Sequence, residues 1–192
     1  SMSFDMPTPL GPNPCDDDVY VEPNQTLQTA IQYAYNNGLV LIAAIGNAGT
    51  DHSGNDCTSR YRSPRPAFYP EVISVAGIDG NDLKYSTSSY ADWCDVSAPD
   101  PNIFSTFPRY LDQQGDIGYK YLSGTSMTAP FVAGLAGLIK SHFPTTDRDM
   151  IKNIIKSTAE NIDNINPDYA GKLGTGRINA FYALAPPNRP NN

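Results

Sequence analysis

The apolar residues of the chain form two unbroken runs and two helical stripes, which together predict most of its core. Residues 39–45 are apolar without alternation, which is typical of a strand buried on both faces. The stretch before them carries an apolar stripe at helical spacing, in a helix that Asn24 can cap and Gly38 can end. This stripe consists of Leu27, Ala30, Ile31 and Ala34.

The second run, residues 131–139, follows the heptapeptide Gly-Thr-Ser-Met-Thr-Ala-Pro at positions 124–130. It is apolar on every side of a helix, which predicts a buried helix. The N-terminus of that helix has unpaired N–H groups and the positive end of the dipole. Ser126, at this end, can attack a carbonyl while nearby donors hold the oxyanion. The alternative is a serine that only caps the helix.

Asn47 stands directly after the first apolar run, between Gly46 and the Ala48-Gly49 pair. Open parallel sheets place their ligand sites at the carboxyl ends of strands, so this amide is a candidate for contacting a bound group. The alternative is an asparagine that only satisfies a turn.

Smaller elements are expected between and after these two runs. Short strands are predicted over about 71–77 and 95–98. Residues 48–70 are predicted to be a long loop, and residues 101–123 turns and short strands.

The last predicted helix follows Thr146, which can cap it. Its buried stripe consists of Met150, Ile151, Ile154 and Ile155. We expect one domain over residues 1–185 and a frayed, flexible tail over residues 186–192.

Residues 39–49 and 124–130 together closely resemble the oxyanion and serine motifs of the subtilisin-like serine peptidases. The resemblance implies an α/β fold, a mostly parallel twisted sheet with helices on both faces. It implies that Ser126 is the nucleophile, that Asn47 donates a side-chain N–H to the oxyanion, and that Thr125 orients the turn. The backbone N–H of Ser126 would be a second oxyanion donor.

Shorter segments extend the resemblance over most of the chain. Residues 1–4 look like the strand that forms one wall of the substrate cleft, so Ser3 and Phe4 are expected to line it. Residues 43–46 look like the opposite wall of the primary specificity pocket. The expected substrate-binding residues of this wall are Ala43, Ala44, Ile45 and Gly46. A strand, a helix and a second strand in this order predict a parallel βαβ unit.

The aspartate and histidine motifs that precede the serine in this family have no counterpart in the chain, which resembles the later half of a catalytic domain. His142 would lie about 24 Å from Ser126 along the helix. His52 neighbours Asp51 and Ser53, and adjacent residues do not fold back into a triad. A missing N-terminal half or a complementing chain would supply the base, and an open strand edge would otherwise favour a homodimer.

Two segments depart from the family pattern. Phe4-Asp5-Met6 replaces the usual Leu-Gly-Gly, which is expected to narrow or recharge the cleft. Ala98-Pro99-Asp100 replaces the usual Ala-Pro-Gly, which is expected to change a turn far from any residue assigned a role.

The charge of the chain limits its partners. With 20 acidic and 13 basic residues, the formal net charge is −7, which argues against nucleic acid or an anionic membrane as a partner. The apolar runs are too short to span a bilayer.

The composition suits a secreted, loop-rich enzyme acting on a polypeptide substrate. No cofactor is required; calcium at Asp16-Asp17-Asp18 is possible, although such a run is usually a solvated loop.

Three cysteines occur, at positions 15, 57 and 94, without the spacing of a zinc site. The loops that carry Cys15 and Cys57 follow two parallel strands joined by one helix, so both emerge at the same sheet edge. A Cys15–Cys57 disulfide is therefore predicted, in keeping with an extracellular compartment. The alternative is three unpaired thiols.

Two functions follow from these expectations. The first is a serine endopeptidase that hydrolyses peptide bonds through an acyl-enzyme, represented here by the part with the nucleophile and oxyanion hole and inactive alone. The second is a non-catalytic module of the same fold that binds peptides or complements a separate fragment.

Overall fold

A parallel sheet of three strands lies at the centre of the computed structural model, which describes residues 1–3, 24–54, 56–108 and 118–185. The strand order is β1-β2-β3. In chain order, the strands are β1 (Leu41–Ala44), β2 (Val72–Ile78) and β3 (Val96–Pro99). Strands β1 and β2 are parallel, and so are β2 and β3.

An antiparallel pair and five α-helices complete the described elements. The pair is β4 (Ile103–Thr106) with β5 (Tyr119–Leu122). The helices are α1 (Gln25–Asn36), α2 (Cys57–Arg62), α3 (Thr125–His142), α4 (Arg148–Ser157) and α5 (Ala180–Ala183). Among the described residues, no helix is long and apolar enough to cross a membrane.

Helices pack on both faces of the sheet, because successive strand residues point to opposite sides. Ile42 and Ala44 of β1 join the cluster formed with α3 and α4. Ala43, between them, packs with Ile31 of α1 on the other face. The predicted fold class, α/β with a parallel sheet covered on both faces, is thereby confirmed.

The first residues of the chain extend this sheet beside β1. The Met2 N–H donates to the Ile42 carbonyl at 2.7 Å, and the Ala44 N–H donates to the Met2 carbonyl at 3.1 Å. The bridge between Met2 and Ala43 is parallel, as the predicted βαβ unit requires. The position of Ser3 next to the sheet edge follows from this pairing.

The ends of two helices test the predicted caps. Asn24 caps α1, since its side chain accepts the Leu27 N–H at 2.8 Å, although Ala30 of the predicted stripe is exposed. The prediction that Thr146 caps α4 is wrong, because Asp147 accepts the Met150 N–H at 2.8 Å. Thr146 is buried, and its hydroxyl donates to the Phe143 carbonyl instead.

The predicted loop 48–70 contains the short helix α2, which the sequence pattern did not indicate. Asp56 caps it by accepting the Ser59 N–H at 3.0 Å. Cys57 is disulfide-bonded, whereas Cys94 is a buried free thiol. Burial raises the pKa of Cys94 to about 12, so the thiol stays protonated. The predicted partner, Cys15, lies outside the described residues, as do Asp16–Asp18, Phe4 and the tail 186–192.

Helix α3 is buried on one side only, which corrects the prediction that it is buried all round. Leu135 is 3% exposed and packs on the sheet, but Phe131 is 43% exposed and Leu138 53% exposed. An open groove of about 790 Å³ lies between this side of α3 and the β4–β5 pair. A helix that is apolar on every side is expected to be covered on two opposite sides. Among the described residues, the sheet covers one side of α3, and the other side lines the groove.

Two leucines of α3 test this asymmetry in the chain 1–192. Leu135→Ala should lower the free energy of unfolding by about 2–4 kcal/mol, because it leaves a cavity in the core. Leu138→Ala on the open side should cost less than about 1 kcal/mol. Urea denaturation of both variants measures the two values, and equal losses would contradict the one-sided packing of α3.

Candidate active site

Three chain segments converge where the parallel strands end, and they carry the candidate residues. Asn47 follows β1, Asp100 follows β3, and Ser126 lies in the first turn of α3. The carboxyl ends of parallel strands meet at one edge of a sheet, which is where ligand sites form in such folds. The sheet therefore brings together side chains that are far apart along the chain.

Thr125 connects this edge to the serine helix. The Thr125 N–H donates to Asn47 Oδ1 at 2.7 Å, and the Thr125 hydroxyl donates to the same atom at 3.0 Å. The hydroxyl in turn accepts the Gly46 N–H at 3.2 Å. A hydroxyl that donates one bond and accepts another is satisfied, which explains how Thr125 can be fully buried.

These bonds also fix which way the Asn47 amide points. A backbone N–H can only donate, so the atom facing Thr125 must be the amide oxygen. The amide nitrogen is then the atom of this side chain that is left to donate, because the oxygen already accepts two hydrogen bonds from Thr125. Asn47 is exposed, so its N–H groups can reach a bound carbonyl oxygen.

Gly124 is the N-cap residue of α3, with a φ of 133° that disfavours any other residue. Its N–H donates to Asp100 Oδ1 at 2.6 Å. Ser123, just before it, accepts the Asn102 N–H on its hydroxyl at 3.0 Å. Asp100 therefore contacts the serine turn directly, which corrects the prediction that its turn lies far from the site.

Ser126 is the second residue of α3 and is half-buried. Its hydroxyl donates to the Ser3 carbonyl at 3.4 Å. Its own N–H has no hydrogen-bond acceptor among the described residues, whereas the N–H groups of Gly124 and Thr125 are both occupied. A hydroxyl, a vacant N–H and an amide donor at one helix N-terminus can together attack a carbonyl and hold the resulting oxyanion.

Pro130 explains a second contact between Ser3 and Ser126. Proline lacks an N–H, so at position 130 it leaves the Ser126 carbonyl without its helical donor. The Ser3 hydroxyl donates to that carbonyl at 3.0 Å. The first residues of the chain thus replace a hydrogen bond that the helix itself cannot make.

The predicted substrate walls divide into exposed and buried positions. Ser3 is exposed and Gly46 is half-buried, so both can face a ligand. The side chains of three residues are instead buried in the core: Ala43, Ala44 and Ile45. Phe4 lies outside the described residues.

Neither histidine of the chain contacts Ser126. The His52 N–H donates to the Tyr90 carbonyl at 2.9 Å, and its own carbonyl accepts the Trp93 indole N–H at 2.9 Å. His142 is the last residue of α3, at the opposite end from Ser126. Within the described parts of the chain, no group of three or more His, Cys, Asp and Glu side chains could hold a metal ion.

Asp100 is the residue of the site that sequence reasoning missed. It is fully buried, and burial raises the pKa of its carboxyl group, an effect that the Gly124 N–H partly offsets. The signal was present, since a carboxylate directly after a parallel strand is a candidate site residue by its position alone.

Comparison with known proteins gives consistent matches. A protein-family model described as the subtilase family matches residues 2–180. Thermitase of Thermoactinomyces vulgaris is 39% identical over 161 residues, which cover 84% of this chain and 50% of that protein. Subtilisin DY of Bacillus licheniformis is 39% identical over 136 residues, which cover 71% and 45%. The chain thus spans about half the length of these curated relatives.

Solved structures agree with this fold. A protease of Pseudoalteromonas arctica superposes with a TM-score of 0.66 at 27% identity, over 86% of this chain and 47% of that one. A lanthipeptide protease superposes with a TM-score of 0.69 over 84% of this chain and 55% of that one. Its identity is 22%, so this second likeness shows the fold alone.

Two substitutions of Asn47 separate its acceptor oxygen from its donor nitrogen. Asn47→Leu removes the acceptor of the Thr125 N–H and should lower the free energy of unfolding by about 1–3 kcal/mol. Asn47→Asp keeps an acceptor at a helix N-terminus, where a negative charge contributes about 0.3–1 kcal/mol. Its stability at pH 7 should therefore equal or exceed that of the parent. Urea denaturation decides, and equal losses in both variants would contradict the acceptor role.

Proposed function

Because the chain belongs to the subtilase family, we propose that it is the nucleophile-bearing part of a serine endopeptidase that cleaves polypeptides. The observation that carries this proposal is the first turn of α3. There, the Ser126 hydroxyl is accessible, the Ser126 N–H is vacant, and Thr125 orients the Asn47 amide. These are the groups that acyl transfer requires on the nucleophile side.

The proposed reaction has two halves. The Ser126 Oγ forms a bond to the carbonyl carbon of the scissile peptide as its proton passes to a general base. The oxyanion accepts hydrogen bonds from the Ser126 N–H and the Asn47 amide. Collapse of this intermediate breaks the C–N bond, and the base returns the proton to the leaving amine. Water then hydrolyses the ester through the same base and restores the Ser126 hydroxyl.

The general base, and the carboxylate that orients it, are assigned to a preceding segment or a complementing chain. Two observations support this assignment. Neither histidine of the chain contacts Ser126, and the chain spans about half the length of its curated relatives. The chain by itself is therefore proposed to have little or no peptidase activity.

The open side of α3 is the proposed docking surface for that segment. Its exposed apolar side chains, Phe131 and Leu138, line the groove beside the β4–β5 pair. The groove opens next to Ser126, so a segment packed in it would bring its own side chains to the nucleophile. Burial of such side chains contributes about 1.5–3 kcal/mol each.

The substrate is proposed to run between the segment of Ser3 and the strand that ends at Gly46. Both residues have accessible surface and flank the first turn of α3.

The disulfide at Cys57 favours an oxidising compartment, so the enzyme is proposed to be secreted. No cofactor takes part in the proposed steps, and calcium binding at Asp16–Asp18 remains an additional proposal.

A non-catalytic peptide-binding module is the second candidate function. The observation that favours it is that the Ser126 hydroxyl donates to a backbone carbonyl, that of Ser3, rather than to a base. Such a module would keep peptide affinity but show no turnover even in its full-length form.

The full-length natural protein separates the two functions. Ser126→Ala should lower kcat by about 10⁶, and Asn47→Asp by about 10²–10³ through loss of one oxyanion donor. Hydrolysis of a fluorogenic peptide measures both, with Ser157→Ala on the exposed surface of α4 as the control. Robust turnover by the chain 1–192 that is lost in Ser126→Ala would place the base within these residues. A full-length protein that binds peptide without turnover would favour the second function.

The docking proposal has its own test in Leu138. In the full-length protein, Leu138→Ala should lower the free energy of unfolding by about 2–4 kcal/mol, because the side chain is then buried. The loss should exceed that measured in the chain 1–192. Sedimentation of the chain 1–192 reports whether a second copy covers the same surface. The same small loss in both forms would show that no preceding segment covers this side of α3.

A further inference from the structure

We propose that Asp100 is a positioning residue of the active site, which holds the turn bearing Ser126 through a carboxylate bond to the Gly124 N–H. This inference rests on the proposed function for its catalytic consequence. The contact itself stands on geometry. Asp100 is fully buried directly below the turn, and its Oδ1 lies 2.6 Å from the Gly124 nitrogen. This distance is at the short end of the range for N–H···O bonds.

The arrangement around Asp100 is built to accommodate a carboxyl group. Gly77 of β2 lies against Asp100, and a Cβ there would clash with Asp100 Oδ2. Oδ2 is buried and has no hydrogen-bond partner in the described residues. A buried oxygen without a partner lowers the free energy of unfolding. We therefore look to the bond made by the other carboxyl oxygen, Oδ1, for what Asp100 contributes in return.

The compensating role is that Asp100 helps to determine which N–H groups at the start of α3 have an acceptor and which one stays free. Asp100 occupies the Gly124 N–H and Asn47 occupies the Thr125 N–H. The next N–H, that of Ser126, is left for the oxyanion. Since Gly124 has no side chain and a φ of 133°, its conformation depends on contacts made by other residues. Asp100 supplies one of them, and the bond between the Asn102 N–H and the Ser123 hydroxyl supplies another.

The carboxylate form is the one that holds the turn most strongly, because charge-assisted hydrogen bonds are about twice as strong as neutral ones. Burial raises the pKa of Asp100 and the Gly124 N–H lowers it. No charged side chain of the described parts of β2, β3 or α3 adds to the shift. The bond to Gly124 should therefore weaken as the pH falls through a pKa that lies above the ordinary aspartate value of 3.8.

Nuclear magnetic resonance of the full-length natural protein tests the contact without relying on activity. Labelling with carbonyl-¹³C serine and ¹⁵N glycine selects Ser-Gly pairs, of which this chain has two, at Gly54 and Gly124. The Gly124 amide proton should move upfield as the pH is lowered, with a midpoint above 3.8. Asp100→Asn should abolish this titration and leave the Gly54 signal unchanged, since the Gly54 N–H contacts Asp92 instead.

Kinetics of the same protein test the catalytic consequence. Asp100→Asn should lower kcat about tenfold or more with KM within about twofold, because a displaced nucleophile affects the transition state more than substrate binding. Asp168→Asn is the matched control, since it makes the same charge change at an exposed position. An unchanged kcat, or a loss confined to KM, would overturn the positioning role.

The resonance experiment and the kinetic experiment test the Asp100 contact and the proposed function separately, so one can fail while the other succeeds. A Gly124 amide that does not respond to pH in the wild-type protein would overturn the inference, even if Asp100→Asn does not fold. A wild-type protein that cleaves no peptide, but whose Gly124 amide titrates as expected, would refute the proposed function and retain the Asp100 contact.

Discussion

The first turn of α3 has more N–H groups than a helix can satisfy internally, and the candidate site depends on how they are distributed. Asp100 takes the N–H of Gly124, Asn47 takes that of Thr125, and the Gly124 carbonyl takes that of Met127. The Ser126 N–H is left over. The N–H of the candidate nucleophile is therefore free between two N–H groups, those of Thr125 and Met127, that already have acceptors.

The acceptors come from the sheet, so the geometry of the site is set by strand pairing. Asn47 and Asp100 follow β1 and β3, which flank β2, and parallel pairing fixes the separation of their ends. Burial makes these contacts rigid: Thr125 and Asp100 are both fully buried, so neither can exchange its partner for water. Ser3 adds a contact from the sheet edge, at the carbonyl that Pro130 leaves without a donor.

The same helix that presents Ser126 has one side without a partner in the described residues. Phe131 and Leu138 remain exposed there, next to the groove that Ser126 also lines. In the proposed peptidase, the general base would have to approach from this same side of α3, because the groove there reaches Ser126. The proposed preceding segment would therefore contribute to stability, by covering Phe131 and Leu138, as well as to catalysis.

The sequence by itself determined the family and the fold class, because long motifs and unbroken apolar runs specify backbone conformation locally. Residues 39–45 and 124–139 were sufficient for a buried strand and a serine helix, and the short N-terminal strand was expected beside the first of these. The assignments of Ser126 and Asn47 as catalytic groups also came from these motifs and stay predictions.

Only the tertiary structure decided which sides of these elements are covered and which distant groups meet. The sequence of α3 could not distinguish a helix buried all round from one with an open side. An apolar side chain shows that a surface favours burial, but it does not show which segment covers that surface. The position of Asp100 after a strand marked it as a candidate, but its partner could not be predicted for a related reason. Its bond to Gly124 joins residues 24 positions apart, and it exists only because β3 ends beneath the serine turn, with Gly77 leaving room for the carboxyl group.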